Sequence, residues 1–374
     1  MAETLRAIET PIVIFSFDRP HYLRRLCQSL KAQQGVELDE RRIILVQDGA
    51  VSRHSGVRYA EEARLAESVE VFRESFPTGR VLRSEENLGI AFNIRRGETL
   101  VFETMKADLG YFFEDDLELG PAYLLMMERL REATAQLPEV GYFAVYGQHR
   151  SRPDLDRPLE LVSMEHHWGF GLRREAWQRI DAWLAPYFEI LRGMDYPRRN
   201  DVEIFRFLQR HGMACDVTSQ DALKALAAAA NGIVRVMTDA CFARYIGEQG
   251  ASFSEAHFQR MGYHRTLLVE RTDLTLPPLA PGRSAAILAE QQQRFTAFRS
   301  EHLDRHLAQF AARNFNPDRL LRREDVDDLF RLLLDRLPES EEIYTLYVGR
   351  QTVRELRSSI AGGREFRARL PRQG

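Results

Sequence analysis

Three consecutive acids, Glu114-Asp115-Asp116, follow the apolar run Tyr111-Phe112-Phe113 and precede Leu117-Glu118. Adjacent carboxylates repel one another, and a divalent cation is an economical counter-charge. Mg2+ and Mn2+ favour oxygen ligands, and Mg2+ often takes one or two carboxylates beside the phosphates of a substrate. Such an ion would also steady the charge developing on a departing diphosphate. In extended backbone Glu114 and Asp116 would point to one side and Asp115 to the other. The plainer alternative is a solvated acidic turn, with Glu118 favouring the start of the next helix.

The elements around these acids change the odds. Ile12-Val13-Ile14-Phe15 reads as a buried strand that breaks at Asp18-Arg19-Pro20, with Pro20 opening a helix through Leu23, Leu26 and Leu30. Ile43-Ile44-Leu45-Val46 is a second strand, stopped by Gln47-Asp48-Gly49. A charged helix over 57–75, a short strand at Val81-Leu82 and a turn at Asn87-Leu88-Gly89 come next. A helix over 90–106 leads to the strand Leu109 to Phe113. A helix from Pro121 and a strand over Val140 to Tyr146 follow. Strands alternating with helices predict an open, mostly parallel α/β sheet flanked by helices. Ligands of such sheets sit beyond the carboxyl ends of the strands. Asp18-Arg19, Asp48 and the acidic cluster all fall at those ends, which marks them as one candidate site.

Here a resemblance becomes specific. Phe113 to Leu119 resembles the metal-site segment of the inverting N-acetylglucosaminyltransferase I family, which has the GT-A glycosyltransferase fold. Val46 to Gly49 resembles that family's second-strand segment, and Pro11 to Pro20 its first strand; the likeness spans roughly 10–255 and weakens after about 150. The resemblance implies a metal-dependent inverting transferase that moves a sugar from a UDP-sugar to a hydroxyl acceptor, with N-acetylglucosamine favoured. By it, Asp116 would ligate Mn2+ or Mg2+, and Glu114 and Asp115 would contact the donor. Arg19 would meet the phosphate or ribose side, and Asp48 would sit near the nucleoside base. Asn87-Leu88-Gly89 with Arg95 and Arg96 resembles a GT-A turn and helix beneath the donor, with Arg96 as the phosphate-facing choice. Taken singly, Arg19 is equally a helix-start surface residue and Asp48 a turn carboxylate.

An inverting transferase needs a carboxylate to take the proton of the acceptor hydroxyl. His167 to Leu172 and the helix around Trp177 resemble the family's acceptor segment; of Trp168, Trp177 and Trp183, at least two of which belong to a packed core, Trp168 is the choice for stacking on an acceptor sugar. The acids that follow are Asp195 and Asn200-Asp201-Val202-Glu203; Asp201 is the first choice for base, Glu203 the second and Asp195 the third. The alternative for Asp201 is a helix-capping role. Tyr245 to Ser252 resembles a glycine-containing loop that closes over the donor and limits its hydrolysis.

The remaining features bound the class. The chain has 374 residues, a formal net charge of −3, 44% hydrophobic and 10% aromatic residues, which is ordinary for a globular protein and unlike a basic nucleic-acid binder. Cys27, Cys215 and Cys241 have no metal or disulfide spacing. No apolar run reaches the roughly 20 residues of a membrane span. These point to a cytoplasmic protein. A glycine-rich phosphate loop with a lysine, the mark of a nucleotidyltransferase, is missing from Phe17-Asp18-Arg19-Pro20.

The expected organisation is a GT-A domain over 1–275, a proline-rich linker at 276–283 and an all-α region over 284–374. The last part resembles small helical modules appended to bacterial sugar-modifying enzymes. Its arginines (Arg350, Arg354, Arg357, Arg364, Arg367, Arg369, Arg372) form either a solvated face or a peripheral contact with anionic lipid at the inner membrane. Expected partners are a nucleotide-sugar donor and a glycan, lipid-linked glycan or protein acceptor. A transferase of the same fold using another nucleotide-sugar is one alternative, and a catalytically inactive GT-A domain serving as a sugar-nucleotide-binding or scaffold module is the competing class.

Overall fold

The computed structural model describes residues 5–150, 152–213, 215, 217–250, 254–296 and 318–369. The chain begins with β1 (Arg6–Ile8), β2 (Ile12–Ser16), α1 (Pro20–Lys31), β3 (Val36–Leu38), β4 (Ile43–Gln47), α2 (Glu62–Ser75) and β5 (Arg80–Arg83). It continues with α3 (Gly89–Thr99), β6 (Leu109–Glu114), β7 (Leu117–Leu119), α4 (Tyr123–Ala133) and β8 (Val140–Ala144). Next are β9 (Leu161–Ser163), β10 (Gly169–Arg173), α5 (Arg174–Leu191), α6 (Asp201–Arg210) and α7 (Gln220–Ala230). The unit is completed by β11 (Val234–Thr238), β12 (Ala243–Tyr245), α8 (Glu255–Met261) and α9 (Pro281–Thr296).

Among the described residues the main sheet has eight strands in the order β5-β4-β2-β6-β10-β8-β11-β9. Strands β5, β4, β2 and β6 are mutually parallel, β8 and β11 are parallel to each other, and β10 is antiparallel to both of its neighbours. Edge strand β9 also runs against β11. The expected open, mostly parallel α/β architecture is therefore present. The period-2 alternation of side chains divides each central strand between two cores. Ile12, Ile14, Ile43, Leu45, Tyr111 and Phe113 join a core with α1 and α4. Val13, Phe15, Ile44, Val46 and Phe112 join the opposite core with α3, α5 and α7. Helices thus cover both faces, and the reactive side chains are left to the strand ends.

Some elements differ from the sequence expectation. The helix expected from 57 begins at Glu62, after a loop held on Ala50 and Ser52 by backbone hydrogen bonds. The aromatic segment His167 to Leu172 contains a sheet strand, β10. Gly171 in it faces the ring of Phe143, and a Cβ there would collide with that ring. Helix α7 carries Ala227, Ala228 and Ala229 fully buried, so its alanines serve close packing.

The chain separates into two compact units, Met1–His302 and Leu303–Gly374. Helix α9, which the sequence reading placed in the C-terminal region, packs on β11, α7 and β9 of the first unit. The unit boundary therefore falls beyond the proline-rich stretch, and 297–317 of the expected all-α region lies outside the described residues. In the second unit, helices Arg323–Leu334, Glu341–Tyr347, Val353–Gly362 and Arg364–Arg369 surround Val326, Leu329, Phe330 and Leu356. Arg354 there is paired with Asp318 at 2.7 Å, while Arg372 lies outside the described residues. No helix among the described residues is long and apolar enough to cross a membrane.

Phe112 is fully buried and packs on the rings of Phe15, Phe102 and Phe170 at centroid separations of 6.1, 5.9 and 5.5 Å. Phe112→Ala should lower the unfolding free energy of the first unit by about 3–5 kcal/mol, read by urea denaturation followed by circular dichroism.

Candidate functional site

Three parallel strands bring three polar groups level. Register pairs Phe15 with Glu114 and Ser16 with Gln47, so the chain leaves β2, β4 and β6 side by side. Pro20 at the first position of α1 holds Arg19 at the helix entrance, where its guanidinium reaches across to β6. Arg19 Nη1 donates to Asp116 Oδ2 at 2.7 Å, and Nη2 donates to Asp115 Oδ1. Asp115 and Asp116 are 1% and 2% exposed, so an unpaired charge on either would be costly. Arg19 supplies the acidic run with a counter-charge from within the chain.

The acids remain under-satisfied. Asp115 Oδ2 and Asp116 Oδ1 are buried without a hydrogen-bond partner. Burial lifts the Asp115 carboxyl to about 6 against the pull of Arg19. Glu114 lies well above the usual carboxylate range, first through burial and then through the negative charges of Asp116 and Asp221. Burial pulls Arg19 down, but Asp115, Asp116 and Glu114 outweigh it and hold the guanidinium above its ordinary value.

Among the described residues no group of three or more His, Cys, Asp or Glu side chains is arranged to hold a metal ion. The two free carboxylate oxygens suit a hard cation that takes one or two protein ligands and completes its shell from phosphate and water.

Residues 246–250 lie against this pair. Ile246 N–H donates to the Asp116 carbonyl at 2.9 Å, and Gln249 N–H donates to Tyr22 Oη at 3.2 Å. The Tyr245 hydroxyl bonds the Asp116 side chain, and burial with the charges of Asp116 and Glu114 raises its pKa. A Cβ on Gly247 would fall 2.6 Å from Asp116 Oδ2, so only glycine lets the chain pass this close. The expected donor-covering loop thus abuts the acids; Ala251 and Ser252 of it lie outside the described residues.

Other expected site residues have different occupations. Asp48 is 4% exposed and accepts from the N–H groups of Gly49, Leu88 and Gly89 at 2.9, 2.9 and 3.0 Å. It tethers the entrance of α3 to the end of β4 rather than offering a free carboxylate to a base. Arg96 Nη2 donates to the carbonyls of Gln47 and Leu82 at 3.0 and 3.1 Å and to Asn93 Oδ1 at 3.0 Å. That arginine therefore fastens α3 to backbone, and Arg95 is held by Asp181. Trp168 is not an open stacking face. It stacks on Tyr245 at 4.3 Å and on His166 at 5.1 Å, with Tyr146 and Tyr263 against it edge-on at 5.2 Å each.

The expected bases are also occupied. Asp201, 7% exposed, accepts from Thr218 Oγ1 and pairs with Arg199 at 3.4 Å. Glu203 pairs with Arg206 one helical turn on, while Asn200 caps α6 by accepting from the Glu203 N–H at 3.1 Å. Asp195 accepts from the hydroxyls of Ser52, Ser55 and Tyr59, which overcome burial and keep its carboxyl below the usual range. Asp195 and Asp201 brace the turn that carries Tyr196. From it the Tyr196 hydroxyl accepts the Gln220 N–H at 2.9 Å, at the entrance of the next helix.

That next helix supplies the residue the sequence reading passed over. Asp221, in the first turn of α7, is exposed, and its negative charge acts on Glu114. Gln220, Lys224, Glu114 and His167 line one small cavity of about 10 Å³, near the lower limit for a single water. The available signal was Asp221 heading an alanine-rich helix, where an acid suits the N-terminal dipole.

The fold and site together define an open α/β protein with a buried acid–arginine cluster at the carboxyl edge of its parallel strands, where such sheets hold ligands. No family model matches the sequence, and no curated protein matches it in sequence. Among solved structures, Staphylococcus aureus TarS 1–349 superposes with a TM-score of 0.35 at 10% identity, over 89% of this chain and 80% of that one. Its complex with UDP-GlcNAc gives 0.37 at 11% identity with the same coverage, and its complex with UDP gives 0.34 at 10%. At these scores the superpositions carry no assignment of function.

His167 is buried and His166 half-buried; desolvation lowers His166 from 6.5 to about 4 and His167 well below its usual value. The unfolded chain binds protons that the folded chain refuses, so this stability is complete above pH 6.5 and is lost as pH falls toward 4. His166→Phe with His167→Phe should flatten the fall in melting temperature over that window, read by scanning fluorimetry against pH.

Proposed function

We propose that this chain is a glycosyltransferase that binds a nucleoside-diphosphate sugar at the carboxyl edge of β2, β4 and β6. The observation that carries this reading is Arg19 gripping Asp115 and Asp116, whose remaining oxygens are buried and unpartnered. Resemblance of Phe113 to Leu119 to the N-acetylglucosaminyltransferase I segment supports a UDP donor, N-acetylglucosamine as the sugar and inversion at the anomeric carbon. Asp116 Oδ1 and Asp115 Oδ2 would hold Mn2+ or Mg2+ together with the donor diphosphate. When bound, the ion supplies Lewis-acid neutralisation of the leaving diphosphate.

In this reading Asp221 is the base. It takes the proton of the acceptor hydroxyl as that oxygen bonds to the anomeric carbon. The bond to the diphosphate breaks, and the diphosphate leaves with the electron pair. Arg19 stays beside the departing charge, and residues 246–250 exclude water. Asp201 is bonded to Thr218 in the segment before α7 and Glu203 pairs with Arg206 within α6, and in this reading neither takes part in the chemistry. Peripheral lipid contact by the C-terminal arginines remains an independent proposal, tested by pelleting with vesicles of anionic and neutral lipid.

The test is UDP release from a panel of UDP-sugars with Mn2+, Mg2+ or chelator, using water and simple sugars as acceptors. UDP-N-acetylglucosamine with Mn2+ should turn over, and chelator or Asp116→Ala should abolish release. Activity indifferent to both would remove the metal assignment. Asp221→Asn should lower kcat by about 10²–10⁴-fold with the donor KM unchanged. If Glu203→Gln has that effect and Asp221→Asn does not, the base lies in α6. Binding of donors without any release would identify a scaffold module.

A further inference from the structure

Two charged side chains that the proposed chemistry does not use are buried together. Lys224 Nζ donates to Glu98 Oε1, and the two side chains are 5% and 2% exposed. Burial pushes the Glu98 carboxyl up, against the opposing pull of Lys224. Burying an ion pair is poor value for stability, since apolar replacements of similar volume are often neutral or better. Its position is more informative. Glu98 lies in the last turn of α3, whose entrance Asp48 ties to β4 and whose Arg96 grips the end of that strand. Lys224 lies one turn after Asp221 in α7, on the wall of the cavity it shares with Glu114 and Gln220.

The two helices share one core but pack on different elements. Helix α3 packs on β2, β4 and the Tyr196 turn, whereas α7 packs on α5, α9 and β11. The ion pair therefore links the helix fastened to the donor side with the helix that carries the proposed base. Tyr196 makes a second link near the entrances, where its Cβ would meet a Cβ on Gly89 and its hydroxyl accepts the Gln220 N–H.

We infer that Glu98 and Lys224 are positioning residues: their buried pair fixes the axial setting of α7 against α3 and so holds Asp221 over the donor site. This rests on the proposed function. It adds that the geometry between base and donor is set by a charge pair that is itself neither base nor donor contact. A misplacement of about 1 Å costs on the order of 100-fold in rate, whereas donor binding rests on Arg19, Asp115 and Asp116.

The experiment compares the full chain with Glu98→Leu/Lys224→Met and with Glu98→Asp, which keeps the charge but is one methylene shorter. Calorimetry with UDP-N-acetylglucosamine and Mn2+ reads donor binding, UDP release reads turnover, and scanning fluorimetry reads folding. The expected result is a melting temperature within about 3 °C of the parent and unchanged donor affinity. UDP release should fall about tenfold or more, in both variants. A folded variant that releases UDP within about twofold of the parent overturns the inference. So does a loss of affinity matching the loss of rate, which would mark general damage to the donor site. A double variant that does not fold leaves Glu98→Asp to decide by the same readings. A parent that neither binds nor turns over the donor fails the proposed function itself, a different result from an active parent with indifferent variants.

Discussion

Carboxylates buried at the end of a sheet strand impose the constraint on which this fold turns. Asp115 and Asp116 are almost inaccessible, and burial of an ionised carboxylate is tolerable only with a charged, hydrogen-bonded partner. The partner is Arg19, which reaches them because β2 and β6 are parallel neighbours in register and α1 starts at Pro20. Slipping β2 by one residue would send its side chains to the opposite core and carry Arg19 away from the acids. Sheet register, helix entrance and site electrostatics are therefore one requirement.

The same accounting separates acids that hold the structure from acids available for chemistry. Asp48, Asp195 and Asp201 have their oxygens occupied by backbone N–H groups, hydroxyls or arginine. Each fastens one segment to another, and each carries little free capacity. Asp115 and Asp116 keep an unpartnered oxygen apiece in spite of their burial. Such under-satisfaction costs stability unless a ligand relieves it, which sets these two residues apart from the better-paired acids.

Much of the fold was legible because its signals are local. Strands β2, β4 and β6 are short unbroken apolar runs ended by polar turns, the pattern of strands covered on both faces. Their alternation with helices was enough for an open α/β sheet and for the strand ends as the ligand edge. Strand β10 was less legible, since its glycines and aromatics suit a loop as well; only contact between Gly171 and Phe143 shows that the glycine is there for sheet packing. Helix α9 shows the same limit. A proline-rich segment looks like a domain boundary, yet the helix after it closes over β11.

The candidate site divides in the same way. Residue order alone placed Glu114-Asp115-Asp116 and Arg19 at neighbouring strand ends, because a chain leaving a parallel sheet presents those positions together. Residue type cannot say which partner a carboxylate finds, since that depends on groups distant in the chain. Asp201 looked like a base until Thr218 and Arg199 were found on it, and Trp168 looked like a sugar platform until His166 and Tyr245 were found stacked on its ring. Asp221 lies 105 positions beyond Asp116 (221 minus 116). It becomes a candidate only when α7 packs beside β11 and its first turn comes near Glu114. Local chemistry and periodicity thus determined the strands, the helices and the acidic edge. Long-range packing decided which charges are neutralised inside the fold and which are left to meet a ligand.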